Sequence, residues 1–270
     1  MAALYIISGL LGASVGSFLN LCADRIPRHL SLLGPPSHCD SCGRRLTLPD
    51  LVPVLSYLWL RGRCRTCGAT IPRRVLWLEV VMATTFVLLL WHYGLTTEFA
   101  LTAFYTSVFV LLLVIDLEHQ LLPNAIIYPA LAVAVLLNVF VPLPGALAAA
   151  PDAFTWLHPY LAGSTTGLAG GAAGLLLLLV PALLFRGGMG FGDVKMAALI
   201  GLVVGFPLVL VAVVMAIIGG GIIAALLLAL RLRSRKSAIP FGPFLSLAAI
   251  ATMLAGQPVL QWYLGFFPPV

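Results

Sequence analysis

The chain has 270 residues, 61% of them hydrophobic and 9% charged, with a formal net charge of +6. Soluble domains carry roughly 25% charged residues, so this composition excludes a water-soluble globule and implies a polytopic membrane protein. Strand-like alternation is missing and the apolar runs are long, which selects membrane helices over barrel strands.

Windows of about 20 residues predict an all-α protein with about eight spans, near 2–22, 75–93, 98–115, 125–142, 160–185, 194–206, 208–230 and 241–262. The sixth is short and runs into the seventh through Gly205, Phe206 and Pro207. Residues 1–22 contain no Lys or Arg, lack the basic front end of a cleavable signal peptide, and read as a retained first span. Every Lys and Arg falls in 23–74, in Arg186–Lys195 or in Arg231–Lys236. Eight spans put these segments and the 116–124 turn on one side, which the positive-inside rule makes cytoplasmic. The opposite loops, around Glu98 and over 143–159 with Asp152, carry no basic residue, and both termini fall on their side. Topology uses every basic residue, so the positive charge needs no nucleic-acid partner.

The only sizeable soluble segment, 23–74, holds Cys39-x-x-Cys42-Gly and Cys64-x-x-Cys67-Gly, two matching turns separated by 21 residues. Each such turn delivers two thiolates from one bend, and the glycine lets backbone amides point at the sulfurs. The pair predicts a zinc-ribbon-like insert with Cys39, Cys42, Cys64 and Cys67 as ligands. Four ligands fill a tetrahedral Zn²⁺, so the metal is structural, and a loop with so small a core needs such a staple. Disulfides are the alternative, disfavoured in a reducing cytosol. Cys22, at the end of the first span, reads as packing. Arg44, Arg45, Arg61, Arg63, Arg65, Arg73 and Arg74 surround the turns. They suit anchoring on anionic lipid and partial neutralisation of a tetrathiolate site, or binding of an anionic molecule or acidic partner. The sequence leaves both open.

Two aspartates stand at the cytoplasmic edges of spans: Asp116 in LLLVIDLEHQLLPN and Asp193 in GGMGFGDVKMAALIG. Carboxylates are expensive at the edge of a hydrocarbon slab. Two at one depth can share a proton, one deprotonating water while the other protonates the carbonyl oxygen or leaving amine. Gly187, Gly188, Gly190 and Gly192 leave room for an extended substrate beside Asp193. Helix capping or a surface pair with Arg186 or Lys195 is the competing account of Asp193. Glu118 and His119 diverge from Asp116 around the helix and read as interfacial. Glu79, one turn inside the second span, is a functional candidate, with an ion pair to Arg73 or Arg74 as the alternative. Gly163, Gly167 and Gly171 recur on one helix face and Gly219–Gly221 interrupt the seventh span, patterns that favour close helix packing over a substrate groove.

These motifs carry a resemblance along essentially the whole chain. Gly16-Ser17-Phe18-Leu19-Asn20 with Arg25-Ile26-Pro27, Pro36-Ser37-His38-Cys39, Leu55-Ser56-Tyr57-Leu58 and Arg61-Gly62-Arg63-Cys64 come first. Asp116 with Leu122-Pro123, Gly190-Phe191-Gly192-Asp193-Val194-Lys195 and Ile239-Pro240-Phe241-Gly242-Pro243-Phe244 follow in order. Together they resemble the bacterial prepilin leader peptidase/N-methyltransferase family of type IV pilus, type II secretion and competence systems. The resemblance implies a first span at 1–22, a zinc-binding insert at 23–74 associated with methyl transfer, and a membrane aspartic peptidase core at 75–270. It implies cleavage of a basic leader from prepilins or pseudopilins by Asp116 and Asp193, then methylation of the new N-terminus from S-adenosylmethionine. It places the protein in a bacterial inner membrane. Asn124 stands where an aspartate often follows the Leu-Pro pair, and Arg74–Leu78 replaces a stretch where a Tyr-Pro pair is common. No glycine-rich strand–turn–helix announces a cofactor fold, so the methyl donor's site falls to the insert, the first two spans and Glu79. A non-enzymatic assembly factor whose insert recruits a cytosolic pilus ATPase, and a presenilin-like peptidase with no use for the cysteines, are the competing readings. Oligomeric state is not legible.

Overall fold

The structure, a computed structural model, describes residues 1–140, 159–184, 190–232 and 240–266. Asp152, Arg186, Gly187, Gly188, Arg233, Arg235, Lys236 and Ile239 lie outside these residues. The described chain is helical, without a named strand and with two isolated bridges, His38–Arg45 and Arg63–Thr70. It divides into two compact units, Met1–Ser107 and Val108–Val270.

In the first unit, α1 (Ala2–Arg25) and α3 (Arg73–Tyr93) flank the insert, which holds a 3-10 turn (Leu48–Asp50) and α2 (Leu55–Trp59); α4 (Thr97–His119) begins here. The antiparallel pairing of α1 and α3 is legible residue by residue. Ser8 Oγ donates to Phe86 O at 3.0 Å, and Asn20 Nδ2 donates to Val75 O at 3.2 Å. Between them sits Gly16, where a Cβ would come within 2.8 Å of Leu78 O and Glu79 Cα. Ser8, Gly12, Gly16 and Asn20 thus make a small, polar stripe at four-residue spacing. Such a stripe lets backbones approach where lipid offers no hydrophobic drive. Leu4, Ile7, Leu11 and Phe18 of α1 are exposed, as suits side chains that meet acyl chains.

The second unit contains the rest of α4, α5 (Asn124–Phe140), α6 (Pro159–Leu184), α7 (Phe191–Val204), α8 (Leu208–Ala229) and α9 (Gly242–Leu264). Its centre is α7, which packs against α5, α6, α8 and α9. Gly170 of α6 and Gly201 of α7 meet backbone to backbone, and Gly174 faces Ala197. Asn138 Nδ2 reaches across to Leu202 O at 3.0 Å. Gly167 faces Asn138 and Gly171 faces Leu202, while Gly220 faces Phe244. Gly167, Gly171 and Gly220 are therefore occupied by packing, whereas Gly221 faces open space.

All eight apolar segments form helices, and among the described residues six of them are long and apolar enough to cross a membrane by length and composition, which leaves the count of eight unconfirmed. The exceptions are α5, at 17 residues, and α7, at 14. At 1.5 Å per residue they rise about 25 and 21 Å, short of the roughly 30 Å hydrocarbon core. The shortness of α7 goes with its surroundings. Val194, Met196, Leu199, Ile200, Val203 and Val204 make α7 apolar on every side because protein surrounds it, and hydropathy cannot separate burial in protein from burial in lipid. The chain is an all-α, multi-pass membrane protein.

Candidate functional site

Asp116 sits in the last turn of α4 and is buried. The backbone amide of Gly242, at the start of α9, hydrogen-bonds its carboxylate. That amide is one of the donors a helix N-terminus leaves without an internal partner. A Cβ on Gly242 would lie 2.5 Å from Asp116 Oδ2 and 3.3 Å from Leu122 Cδ2. The site therefore needs glycine for space.

Asp193 stands in the first turn of α7, where its carboxylate accepts the amide of Gly190, the N-cap residue. It thus makes the reciprocal bond of a capping box from the third helical position, while Gly190, not Asp193, is the N-cap. The charge of Asp116 nevertheless acts on this carboxylate. Leu122, in the turn between α4 and α5, links the two ends: a Cβ on Gly192 would be 3.0 Å from Leu122 Cβ. The Leu122-Pro123 pair, the Gly190–Asp193 motif and the Phe241–Phe244 segment, far apart in sequence, meet here. Lys195 Nζ donates to Asn124 Oδ1 at 2.9 Å and lies 5.0 Å from the centre of the Tyr128 ring. The departure at Asn124 therefore bears on a residue two positions from Asp193. Glu118 and His119 are exposed at the end of α4.

In the first unit, the Sγ atoms of Cys39, Cys42, Cys64 and Cys67 lie within 4.8 Å of one another, and all four cysteines are free. Cys39 and Cys67 sulfurs are 3.8 Å apart, close to the edge of a tetrahedron with about 2.3 Å metal–sulfur bonds. The donor set fits a tetrahedral metal. Each half repeats the same turn. Gly43 N donates to Cys39 O and Gly68 N to Cys64 O; Cys39 N donates to Arg44 O and Cys64 N to Ala69 O. Gly43 and Gly68 take φ of +67° and +70°, the left-handed conformation that favours glycine. The amides of Cys67 and Thr66 bond the Cys64 sulfur and draw its thiol down to about 6. Cys22 is buried in α1, outside the cluster.

Asp50 joins the two turns, a role sequence reasoning missed. Its Oδ1 accepts Arg65 Nε at 2.9 Å and its Oδ2 accepts the Thr47 hydroxyl at 2.8 Å and the Arg44 guanidinium. Arg44 Nη1 donates to Thr66 Oγ1 at 2.8 Å, closing the brace. Partial desolvation opposes ionisation of Asp50, but the Thr47 bonds and the Arg65 and Arg44 cations outweigh it and hold the carboxyl below its ordinary 3.8.

Glu79 is buried in α3, and its Oε2 accepts the Val54 amide at 2.7 Å, with Ser17 also bonding the carboxylate. Val54 pays for this with a φ of +63°, a conformation costly for a β-branched residue. Arg74 pairs with Asp24 at 2.6 Å and donates to Asn20 Oδ1 at 3.2 Å. The first-helix signature Gly16–Asn20 thus lines one side of Glu79.

The fold and sites define a multi-pass helical membrane protein with buried acidic groups and a four-cysteine cluster. A family model described as the bacterial peptidase A24 N-terminal domain matches residues 10–93, and one described as the type IV leader peptidase family matches 103–225. The chain is 30% identical to a prepilin leader peptidase/N-methyltransferase of Bacillus subtilis, across 94% of this chain and 96% of that one. It is 31% identical to proteins of the same description from Pseudomonas putida (94% and 91% covered) and Dichelobacter nodosus (96% and 94%). No solved structure shows a significant match. The chain belongs to the prepilin leader peptidase/N-methyltransferase family, and it is an enzyme.

Proposed function

We propose that this protein is an aspartic endopeptidase of a bacterial inner membrane. It removes the leader from type IV prepilins or pseudopilins and methylates the new N-terminus. The observation that supports the peptidase half is the convergence on Leu122 of the two segments that carry the aspartates, Gly192 beside Asp193 and Gly242 against Asp116, with the Gly242 amide on one carboxylate and the Gly190 amide on the other. Two interacting carboxylates hold one proton between them. The ionised one takes a proton from water as its oxygen attacks the scissile carbonyl carbon. The protonated one donates to the carbonyl oxygen, and collapse of the adduct breaks the C–N bond as the amine leaves with a proton. The basic residues of 23–74, with Lys195 and Arg231, support a cytoplasmic position for the aspartates and the insert.

Cys39, Cys42, Cys64 and Cys67 would hold Zn²⁺ as a structural ion, with the Asp50 brace fixing the two turns against each other. S-adenosylmethionine, when bound, supplies the methyl group. Glu79 is the residue of this chain suited to that half: a buried carboxylate complements a sulfonium or an ammonium cation, and Ser17 and the Val54 amide hold it in place. The absence of any named strand among the described residues excludes a Rossmann sheet there.

The test is direct. Asp116→Asn and Asp193→Asn, purified in detergent, should each abolish release of the leader from a prepilin while zinc content stays at the wild-type level. Retained cleavage in either variant refutes the dyad.

A further inference from the structure

We propose that the apolar side of the insert, Leu48, Leu51, Val52, Leu55, Leu58 and Trp59, docks on the headgroup layer of an anionic lipid bilayer and seats the cysteine cluster against the membrane surface. Leu48 and Trp59 are each 84% exposed, and Leu55 and Leu58 are 64% and 57%. These residues repeat one spacing: 48, 51 and 52 around the 3-10 turn, then 55, 58 and 59 on α2, each set i, i+3, i+4. The turn and α2 are neighbours in the fold. A run of large apolar side chains left open on a small insert marks an interaction surface.

A tether to α3 sets where this surface lies along that helix. Val54, in the middle of the run, is bonded through its amide to Glu79. Glu79 is six residues into α3, a helix long and apolar enough to span, roughly 9 Å along its axis. Residues on either side of Val54 are thereby held at the rim of the bilayer, where the polar insert meets the hydrocarbon.

Charge selects lipid as the occupant. Residues 23–74 hold nine arginines against three aspartates. Two of those aspartates are already engaged, Asp24 by Arg74 and Asp50 by Arg44 and Arg65. Arg61 and Arg63, which follow the apolar run in sequence, and Arg73, at the start of α3, are exposed. Apolar anchors flanked by cations are the pattern of an element lying in the interface of an anionic membrane, and tryptophan favours that depth. The surface is separate from the aspartate and cysteine chemistry and does not depend on it.

The experiment uses the full-length protein in nanodiscs whose lipids are brominated on the upper acyl chain. The Trp59→Phe difference isolates Trp59 from Trp77, Trp91, Trp156 and Trp262. Bromolipid should quench the Trp59 emission at least twofold, more strongly with phosphatidylglycerol than with phosphatidylcholine alone. Arg61→Gln/Arg63→Gln should remove that lipid preference. Metal content equal to wild type shows that the variants keep the insert folded. Emission untouched by bromolipid but quenched by aqueous iodide overturns the proposal. So does shielding of Trp59 that develops only when a prepilin is added, which would make the surface a protein site. Quenching that ignores lipid charge overturns the part assigned to the arginines.

Discussion

The amide of Gly242 donates to the carboxylate of Asp116, and a methyl group at Gly242 would sit 2.5 Å from Oδ2. Gly242 is the first residue of α9, so the bond places an acidic group at the positive end of a helix dipole. The signature around Phe241–Phe244 thus serves Asp116 by withholding a side chain.

Gly242→Ala should therefore displace Asp116 while leaving the fold intact. A shift of about 1 Å in a reacting group can cost on the order of 100-fold in rate. We expect a loss of that order in leader release, with a thermal midpoint near wild type. Activity within twofold of wild type would show that the close approach has no catalytic weight.

The helices were legible because each apolar run is bounded by charges, glycines or prolines, and the cysteine turns because their chemistry is local. What escaped is tertiary. Asp50 lies six residues from Arg44 and 15 from Arg65, at no recognisable spacing, and only the folded insert brings all three together. The Val54 amide leaves no trace in sequence, since every residue but proline has one. The packing of α7 against α5, α6, α8 and α9 is not legible either, because its apolar residues carry no label for what surrounds them. Asp116 and Asp193 were found as expensive carboxylates, yet their link through Leu122 rests on contacts that no periodicity encodes.

The brace predicts a metal-retention phenotype. Asp50→Asn keeps the shape but loses the charge that two guanidiniums share, and loss of such outer partners weakens metal sites by about 10-fold or more. Chelator-driven zinc release should accelerate by that order. The folded-state pKa of Asp50 is lowered, so its contribution is complete above the ordinary carboxylate value and lost only as pH falls through the lowered one. The ratio of mutant to wild-type release rates should thus stay constant from about pH 8 to pH 5. A ratio of one, or one that collapses within this window, counts against the brace.

Gly201 and Gly170 predict a stability effect without chemistry. A Cβ at Gly201 would drive into the Gly170 carbonyl, and the obstacle is backbone, which cannot rotate away. Gly201→Val should force α6 and α7 apart at a cost of about 1–3 kcal/mol. It should appear as a lowered thermal midpoint in detergent. Since Asp193 rides on α7, cleavage should fall as well. An unchanged midpoint would mean that the helices are not in backbone contact.

Glu79 separates the two proposed activities. In Glu79→Gln the amide oxygen can still accept the Val54 N–H, so the tether and the insert's position survive while the negative charge is removed. If that charge holds a cation for methyl transfer, its loss should cost a charge-assisted contact of about 1.5–3 kcal/mol, tenfold or more. The loss should fall on methylation alone. Mass spectrometry of a processed prepilin would then show leader release within twofold of wild type, full zinc content, and a product largely lacking the added methyl. A raised KM for S-adenosylmethionine would assign Glu79 to the donor, and an unchanged KM with lowered kcat to the amine. Equal methylation in mutant and wild type would leave Glu79 as the anchor of the insert and nothing more.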